Sequence, residues 1–274
     1  MTRLLFIGDI VGKPGRELVR RGLAALVTHY RADLVIANGE NAAAGFGITP
    51  DIADDFFEYG VHVITGGNHT WDKKEIVPYF ADHPRMLRPA NFPPGTPGRG
   101  RVVVRATNGV SVAVINAMGR VFMTALDDPF RVVVEEVEAV REEARVILVD
   151  FHAEATSEKV AMGWHLDGRV AAVVGTHTHV ATADSRILPQ GTAYQTDVGM
   201  TGPHDSVIGV ERGAILQRFL TGLPQRFETA TENPRLNAVL VAADETTGLA
   251  THIERVSLSA HDIETLVAQP AAAR

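Results

Sequence analysis

The feature that most constrains the fold is the alternation of short apolar runs with helical patterns in the first half of the chain. Apolar runs of strand length occur at Leu4 to Ile7, Asp33 to Ala37 and Val61 to Thr65. Helical patterns from about Arg16 to Tyr30 and from Pro50 to about Tyr59 separate them. Strands that alternate with helices form parallel sheets. The pattern therefore predicts an α/β fold that begins with parallel strands.

Capping signals predict where several helices begin. Thr49-Pro50-Asp51 provides an N-cap, a proline at the first helical position and an acid in the first turn. Asp72, with Glu75 three residues later, resembles a capping box and predicts another short helix after the third strand. Asp128-Pro129 begins the clearest helix, which we expect to extend to about Ala144.

The second half of the chain adds antiparallel strands. The Pro- and Gly-rich stretch Arg88 to Gly100 predicts a loop, and Asn108-Gly109 is a strong hairpin signal between Val102 to Arg105 and Val110 to Ile115. The remaining strands are predicted at Val146 to Phe151, at Val170 to Val174, near Ile187, Tyr194 and Leu240, and in a final hairpin around Asp244 to Gly248. We expect one α/β domain with two sheets over residues 1–267, followed by an alanine-rich tail, residues 268–274, that frays.

Composition excludes several classes of function. The 274 residues include no cysteine, which rules out disulfides, thiolate nucleophiles and thiolate metal ligands. The net charge is −7 and the basic residues are scattered, so we expect no duplex nucleic acid partner. No apolar stretch approaches the ~20 residues of a membrane span, and the first residues lack the apolar core of a secretory signal. We therefore expect a cytoplasmic protein without a membrane partner; the sequence leaves open whether it forms a homo-oligomer.

The segment Gly175-Thr176-His177-Thr178-His179 places two histidines at the end of an apolar run. In an extended segment both side chains face the same way, with Cα atoms ~6.6 Å apart at ~3.3 Å per residue. One ion could take both imidazoles, or two neighbouring ions could take one each. The pair could equally be surface histidines in a turn. The ends of the other strands decide between these alternatives.

Residues that can coordinate metals follow the other strands as well. Ligands of open α/β sheets lie at the carboxyl ends of the strands. The residues at these ends are Gly8-Asp9, Asn38-Gly39-Glu40-Asn41, Gly66-Gly67-Asn68-His69 and His152. Each alone could be a cap, a turn residue or a hydrogen-bonded core histidine. Caps and turns have no reason to choose ligand chemistry at every strand, so the convergence predicts a metal site with nitrogen and oxygen ligands.

Together these motifs resemble the calcineurin-like metallophosphoesterase superfamily, and most closely its YmdB-like branch. The blocks similar to that branch are Gly8-Asp9-Ile10-Val11-Gly12, Asn38-Gly39-Glu40-Asn41, Gly67-Asn68-His69-Thr70-Trp71 and Thr196-Asp197-Val198-Gly199-Met200-Thr201-Gly202-Pro203. Glu40-Asn41 stands where the wider superfamily has a bridging aspartate, as in the YmdB-like branch itself. The resemblance covers nearly the whole chain. It implies a metallophosphoesterase-like sandwich of two mixed β-sheets flanked by α-helices, and an enzyme that hydrolyses a phosphoester.

The resemblance implies a binuclear metal centre. The ligands expected for one ion are Asp9, Glu40, Asn41 and His179, and those for the other are Glu40, Asn68, His152 and His177. Two divalent ions ~3.5 to 4 Å apart need a shared anion, which the carboxylate of Glu40 can provide. Histidine, carboxylate and amide ligands suit manganese, iron or zinc, and the family implies iron or manganese.

The resemblance also implies a reaction and a substrate class. A hydroxide that bridges the metals would attack phosphorus while His69 protonates the leaving alkoxide; alternatively, His69 only orients the phosphate through a hydrogen bond. The expected substrate is a small phosphodiester such as a 2′,3′-cyclic nucleotide. A phosphomonoesterase, or a metal-containing regulatory module with weak catalysis, remains an alternative.

Other motifs have more general explanations. Lys13 lies in a segment that superficially resembles a phosphate-binding loop, but the segment is one residue too short between its glycines and Pro14 replaces the Ser or Thr that would bind magnesium. Gly45-Phe46-Gly47 and Thr201 to Asp205 could border the substrate site or simply form turns. Trp71 and Trp164 are expected to contribute to packing.

Overall fold

Two six-stranded mixed sheets form the centre of the fold in a computed structural model that describes residues 1–269. In chain order the elements are β1 (Thr2–Ile7), α1 (Gly12–Tyr30), β2 (Leu34–Asn38), α2 (Pro50–Tyr59), β3 (Val63–Thr65), α3 (Ile76–Asp82), β4 (Arg101–Arg105), β5 (Ser111–Met118), α4 (Pro129–Val140), β6 (Val146–His152), α5 (Thr156–His165), β7 (Ala172–Thr176), β8 (Arg186–Ile187), β9 (Ala193–Gln195), β10 (Gly202–Pro203), α6 (Arg212–Thr221), β11 (Pro234–Ala243), β12 (Ala250–Ser259) and α7 (Ala260–Ala268).

Each sheet combines parallel strands with antiparallel neighbours. The first sheet has the order β10-β11-β1-β2-β3, in which β1, β2 and β3 are parallel; β12 pairs antiparallel with β11. The second sheet has the order β4-β5-β6-β7-β9-β8, in which the four inner strands are parallel. Strands β1 to β3 and β5 to β7 come from alternating βα units, as the first half of the sequence predicts, whereas β9 follows β7 without an intervening helix. The predicted α/β class with two mixed sheets is confirmed.

The core lies in three layers because successive side chains of a strand point to opposite faces. In β1, Leu4 and Phe6 are buried with residues of β5, β6, β7 and β11, between the two sheets. Leu5 and Ile7 face the other way and pack with residues of α1, α2 and α3, including Leu18. A third cluster joins the outer face of the second sheet to α4 and α5. Among the described residues, no helix is both long and apolar enough to cross a membrane.

Local capping chemistry correctly predicts two helix starts. Thr49 accepts a hydrogen bond from the backbone N–H of Ile52 at 3.4 Å at the start of α2. Asp128 accepts one from the backbone N–H of Phe130 at 3.0 Å at the start of α4. However, α4 ends at Val140 rather than Ala144, because the carbonyl of Val140 accepts the N–H groups of residues 143 and 144 in a closing turn.

Several boundaries differ from the prediction. Helix α1 begins at Gly12, four residues before the predicted start, and β7 lies two residues further along the chain than its apolar run. The predicted capping box before α3 is wrong. Glu75 occupies the N-cap position without a side-chain hydrogen bond to the described helix, and Asp72 instead contacts His69. A side chain that has a partner in the site is not available to cap a helix.

Helices α5, α6 and α7 were not predicted. Lys159 and Glu158 are buried on α5, so its inner face is partly polar and gives a weak apolar period. Helix α6, all of which the structure describes, buries no residue. Helix α7 has a capping box formed by Ser259 and Asp262 and includes Ala268, the first residue of the predicted tail. Residues 270–274 of that tail lie outside the described residues.

Candidate metal centre

The predicted ligands lie at one edge of the molecule, where β1, β2, β3, β6 and β7 end. Asp9, Glu40, Asn41 and His152 are buried, whereas His177 and His179 are partly exposed. Glu40, His152 and His177 each offer a ligand atom, and these atoms all lie within 4.8 Å of one another. The tertiary structure thus brings together side chains separated by up to 170 residues, from Asp9 to His179.

His152 has the largest number of close contacts in the cluster. Its Nε2 lies 2.8 Å from Asn68 Oδ1, 3.1 Å from Glu40 Oε1 and 3.1 Å from His177 Nδ1. A single N–H could satisfy only one of these three neighbours well. Three further donor or acceptor atoms around one ring nitrogen are more typical of ligands that converge on a cation.

The other ring nitrogen of His152 determines which tautomer is present. Thr176 donates its only hydroxyl proton to Asp150 Oδ1 at 2.7 Å, so its oxygen can act only as an acceptor toward His152 Nδ1, 2.9 Å away. Nδ1 must therefore carry a proton, so that in the neutral ring Nε2 presents a lone pair to the cluster. Burial lowers the pKa of His152, but Glu40, Asp9 and Asp150 outweigh this and raise it, so the anions around Nε2 favour a second proton there, which a bound cation would replace.

Asp9 is fully buried and incompletely hydrogen-bonded. Its Oδ2 accepts a hydrogen bond from the backbone N–H of His177 at 3.3 Å, whereas Oδ1 has no hydrogen-bond partner among the described residues. Burial raises the pKa of Asp9, although His179 and His152 act in the opposite direction. A buried carboxylate oxygen without a partner is costly. A cation next to Oδ1 would remove that cost.

Glu40 is an ionised carboxylate at the centre of the cluster. Its Oε2 accepts a hydrogen bond from the backbone N–H of His69 at 2.9 Å, and its Oε1 faces His152. Burial acts to raise the pKa of Glu40, but the charge and hydrogen bond of His152 lower it to about 2. The carboxylate is thus held in one orientation with its charge directed at the cluster.

His179 and Asn41 form a second pair of facing acceptor atoms. The carbonyl oxygen of Ile208 accepts a hydrogen bond from His179 Nδ1 at 2.8 Å, so His179 Nε2 carries a lone pair. The amide of Asn41 donates from Nδ2 to the carbonyl of Gly45, which turns its Oδ1 toward His179. The distance from His179 Nε2 to Asn41 Oδ1 is 3.3 Å. Two acceptor atoms at this separation can both bind one cation that lies to one side of the line joining them.

His177 and His179 have different neighbours, and the extended geometry that the sequence analysis assumed for this segment is wrong. Strand β7 ends at Thr176, and both histidines have positive φ, 102° for His177 and 64° for His179, so the segment is not extended. His177 contacts His152 and, through Nε2, Glu154 at 3.1 Å. Burial and the neighbouring His152 lower the pKa of His177 to about 3, which keeps it neutral as a ligand must be.

A buried ion pair holds the turn between the two histidines. Asp197 Oδ2 accepts hydrogen bonds from the backbone N–H and hydroxyl of Thr178, at 3.1 and 2.8 Å, and from Lys159 Nζ at 2.6 Å. Lys159 and Asp197 are both buried. Asp197 belongs to a block that the sequence singled out, whereas Lys159 on α5 gave no local signal. The pair fixes a strained backbone at the point where the histidine side chains diverge.

Gly67 lets the end of β3 approach the cluster closely. A Cβ atom there would lie 2.3 Å from His152 Nε2 and 2.4 Å from Glu40 Oε2, closer than any side chain tolerates. Glycine at position 67 is therefore a steric requirement of the site. It allows Asn68 to reach His152 and His69 to donate its backbone N–H to Glu40.

His69 lies beside the cluster and is partly exposed. Its Nδ1 is 2.8 Å from Asp72 Oδ2, and its ring makes a T-shaped contact with the ring of Phe46, with ring centroids 5.1 Å apart. The carboxylate of Asp72 fixes the ring orientation and leaves Nε2 for a substrate. The sequence predicted Asp72 as a cap, so its role at the site was missed.

Several of these side chains open into one cavity of about 350 Å³. The polar side chains that line it are Glu40, Asn41, His69, Glu154, His177, Thr178, His179, Glu228 and Thr229, and the apolar ones are Val11, Phe46, Ile208, Val210 and Phe227. A cavity of this size suits a small molecule. The arrangement joins clustered nitrogen and oxygen ligands to a substrate-sized opening.

Comparison with known proteins identifies the family of this chain. Residues 5–256 match the family model described as YmdB-like protein. The chain belongs to the YmdB-like family. It is 52% identical over 257 residues to the 2′,3′-cyclic-nucleotide 2′-phosphodiesterase of Bacillus subtilis strain 168, an alignment that covers 94% of this chain and 97% of that protein.

Two solved structures share the YmdB-like fold seen here. The crystal structure of a protein from Thermus thermophilus has a TM-score of 0.88 at 45% identity, covering 94% of this chain and 99% of that chain. The crystal structure of a novel phosphatase from Mycoplasma pneumoniae has a TM-score of 0.88 at 35% identity, covering 94% of this chain and 93% of that chain. The family resemblance and the fold class that the sequence indicated are confirmed.

Proposed function

We propose that this member of the YmdB-like family is a metal-dependent phosphodiesterase that acts on small phosphodiesters such as 2′,3′-cyclic nucleotides. The observation that carries the proposal is the cluster of facing lone pairs around His152 Nε2, next to the unpartnered Asp9 Oδ1. Such a cluster is stabilised by cations. The substrate class follows the activity for which the Bacillus subtilis relative is named.

The separate neighbours of the two histidines support two ions rather than one. The first would be held by Asp9, Glu40, Asn41 and His179, and the second by Glu40, Asn68, His152 and His177. We propose iron or manganese, with zinc as a further candidate, because all donors are nitrogen or oxygen. Bound ions would supply Lewis-acid stabilisation of the phosphoryl charge and lower the pKa of water.

His69 is proposed as the general acid. Its Nδ1 is engaged with Asp72, so Nε2 is the atom that would hold the proton for the leaving alkoxide. Its backbone N–H donates to Glu40, which ties the position of the acid to the position of the bridging ligand. The chain thus places a proton donor and an anionic ligand in adjoining positions.

A phosphomonoesterase is the second candidate, because the Mycoplasma pneumoniae structure is described as a phosphatase. A cytoplasmic location and the absence of duplex nucleic-acid and membrane partners stay predictions, and the sequence leaves the oligomeric state open.

The test combines metal analysis with a substrate panel. Protein purified without chelator should contain about two ions per chain and hydrolyse bis-p-nitrophenyl phosphate and 2′,3′-cyclic AMP faster than p-nitrophenyl phosphate. The variant Glu40→Gln, which removes the proposed bridge with little change in volume, should lose both metal and activity. Faster hydrolysis of p-nitrophenyl phosphate would indicate a monoesterase. Bound metal without hydrolysis of any of the three substrates would indicate a binding module.

A further inference from the structure

Phe46 is an aromatic side chain that lines the cavity beside the metal centre. Its residue is 39% exposed, although the ring is large and apolar, and no core cluster of the described residues includes it. The ring makes a T-shaped contact with the ring of His69, the proposed proton donor. An aromatic ring exposed at the mouth of a polar site gains stability when the flat or apolar part of a ligand covers it.

A metal ligand holds the Phe46 loop in place. The side-chain amide of Asn41 donates to the carbonyl of Gly45 at 3.0 Å, and the backbone N–H of Gly45 donates to the carbonyl of Asn41 at 3.1 Å. Gly45 and Gly47 flank Phe46 with φ of 92° and 75°, which only glycine adopts easily. Phe46 is thus fastened to a proposed ligand through two hydrogen bonds and a tight turn.

Ile208 provides a second apolar surface of the cavity in a corresponding way. Its carbonyl accepts the hydrogen bond from His179 Nδ1, and its residue is 51% exposed with φ of 48°. Two neighbouring backbone hydrogen bonds, from Ala230 to Gly209 and from Glu211 to Glu228, hold the segment against the stretch of chain that precedes β11. Both apolar surfaces are therefore positioned by side chains proposed to bind metal.

The charges of the cavity restrict what can lie against these surfaces. Among the described residues that line it there is no lysine or arginine, and two carboxylates, Glu154 and Glu228, face it in addition to Glu40. A second phosphate group would meet negative charge there without a compensating cation. The occupant of the apolar surfaces is thus uncharged and flat or apolar.

We infer that Phe46 is the residue against which the nucleobase of the substrate stacks while the phosphodiester lies at the metal centre. The inference rests on the proposed phosphodiesterase function. Base and 2′,3′-cyclic phosphate are attached to the same ribose, so the two groups must bind within a few ångströms of each other, and His69 lies beside both Phe46 and the metal cluster. Stacking on an aromatic ring tolerates every base, because every base presents a flat π-face.

The test compares a nucleotide with a substrate that lacks the base. Metal-loaded wild type, Phe46→Ala and Phe46→Trp are assayed on 2′,3′-cyclic AMP and on methyl ribofuranoside 2,3-cyclic phosphate. Phe46→Ala should raise KM for 2′,3′-cyclic AMP about tenfold, from the typical strength of base stacking on an aromatic ring. Its kinetics on the abasic substrate should stay within a factor of about two, and Phe46→Trp should restore the wild-type KM for the nucleotide.

Trp164→Ala is the matched control, because Trp164 is an exposed aromatic residue on α5 that stacks on Arg186 away from the cavity lining. It should change neither substrate's KM. Calorimetry measures binding independently of turnover. Phe46→Ala should weaken the binding of adenosine 3′-monophosphate about tenfold and leave the binding of ribose 3-phosphate unchanged.

The outcomes separate the two proposals. If wild type hydrolyses neither substrate, the phosphodiesterase proposal fails. If it hydrolyses both and Phe46→Ala affects them equally, or affects neither, the phosphodiesterase proposal stands and the assignment of Phe46 is overturned. An equal loss on both substrates would show that Phe46 acts only through His69.

Discussion

His152 shows how a single residue acquires its ligand atom from its neighbours. Thr176 can only accept from Nδ1 because it donates to Asp150, and this leaves the lone pair of Nε2 toward Asn68 and Glu40. Burial raises the pKa of Asp150 to about 6, partly offset by His152 and by its threonine donors, so it is largely ionised at neutral pH. The orientation of this proposed ligand thus depends on Thr176 and Asp150, which lie outside the proposed ligand set.

The two histidines of the Gly175 to His179 segment should lose different ions when replaced. His177 contacts His152 and His179 contacts Asn41, so each of His177→Ala and His179→Ala should retain about one of two ions per chain. Metal analysis of gel-filtered protein measures this directly. His252→Ala, on the exposed face of β12, serves as the control and should retain both. Loss of both ions from either site variant would contradict separate binding.

Replacement of the proposed general acid should separate turnover from metal binding. His69→Gln keeps the backbone N–H that donates to Glu40, so metal content should be unchanged while kcat falls by roughly 10²- to 10⁴-fold. Asp72→Asn, which keeps a hydrogen-bonding partner for the ring, should have a smaller effect. A parallel fall of metal content and kcat in His69→Gln would exclude the acid assignment.

At the level of elements, α5 contributes to the site through one buried charge. Lys159 reaches Asp197, which in turn holds the Thr178 turn at the end of β7. A Cβ atom at Gly175 would lie 1.8 Å from the carbonyl oxygen of Thr196, so the end of β7 and the segment before Asp197 are in contact. The helix, the strand and the following loop therefore form one support for the two histidines.

Removal of that buried charge should destabilise the protein strongly. Lys159→Met leaves Asp197 buried and unpaired, and the free energy of unfolding measured in urea should fall by about 3 to 5 kcal/mol. Arg20→Ala, which breaks an exposed pair with Glu17, is the control and should change little.

The paired variant Lys159→Met/Asp197→Asn isolates the charge effect, because it removes both charges and keeps an acceptor for Thr178. It should be more stable than Lys159→Met alone. A Lys159→Met variant as stable as the Arg20 control would show that the ion pair does not support the fold.

At the level of the whole molecule, negative charge opposes the binding of an anion at the proposed metal centre. The net charge is −7, and Glu154 and Glu228 line the cavity. Bound cations would have to supply the attraction for phosphate, and the remaining carboxylates would oppose the approach of further charge. We therefore expect a substrate with one negative charge, such as the cyclic diester proposed above.

Neutralisation of one cavity carboxylate should therefore increase the rate of substrate capture. Glu228→Gln should raise kcat/KM for 2′,3′-cyclic AMP at low ionic strength, and the gain should shrink as the salt approaches ~0.15 M, where screening acts over ~8 Å. Glu142→Gln makes the same charge change outside the cavity lining and should have no such effect. An equal gain in both variants, or one independent of salt, would contradict a local electrostatic origin.

The accuracy of the sequence predictions followed the range of the interactions involved. Caps at Thr49 and Asp128 and the hairpin at Asn108-Gly109 depend on neighbours a few residues away, and all three are confirmed. Helix α5 was missed because its inner face is stabilised by a distant carboxylate rather than by an apolar stripe. The cap assigned to Asp72 was wrong for the same reason, since tertiary structure gave that side chain another partner.

The sequence by itself determined the alternating α/β order, the chemistry of the donor atoms and the presence of those donors at the strand ends, because these properties belong to local patterns and residue types. Only the tertiary structure decided which donors face one another, which tautomer His152 adopts and which side chains line the cavity. Those features depend on packing between segments far apart in the chain, such as Asn41 with His179 and Lys159 with Asp197. Their energies are defined only once the two sheets and their helices have brought the partners together.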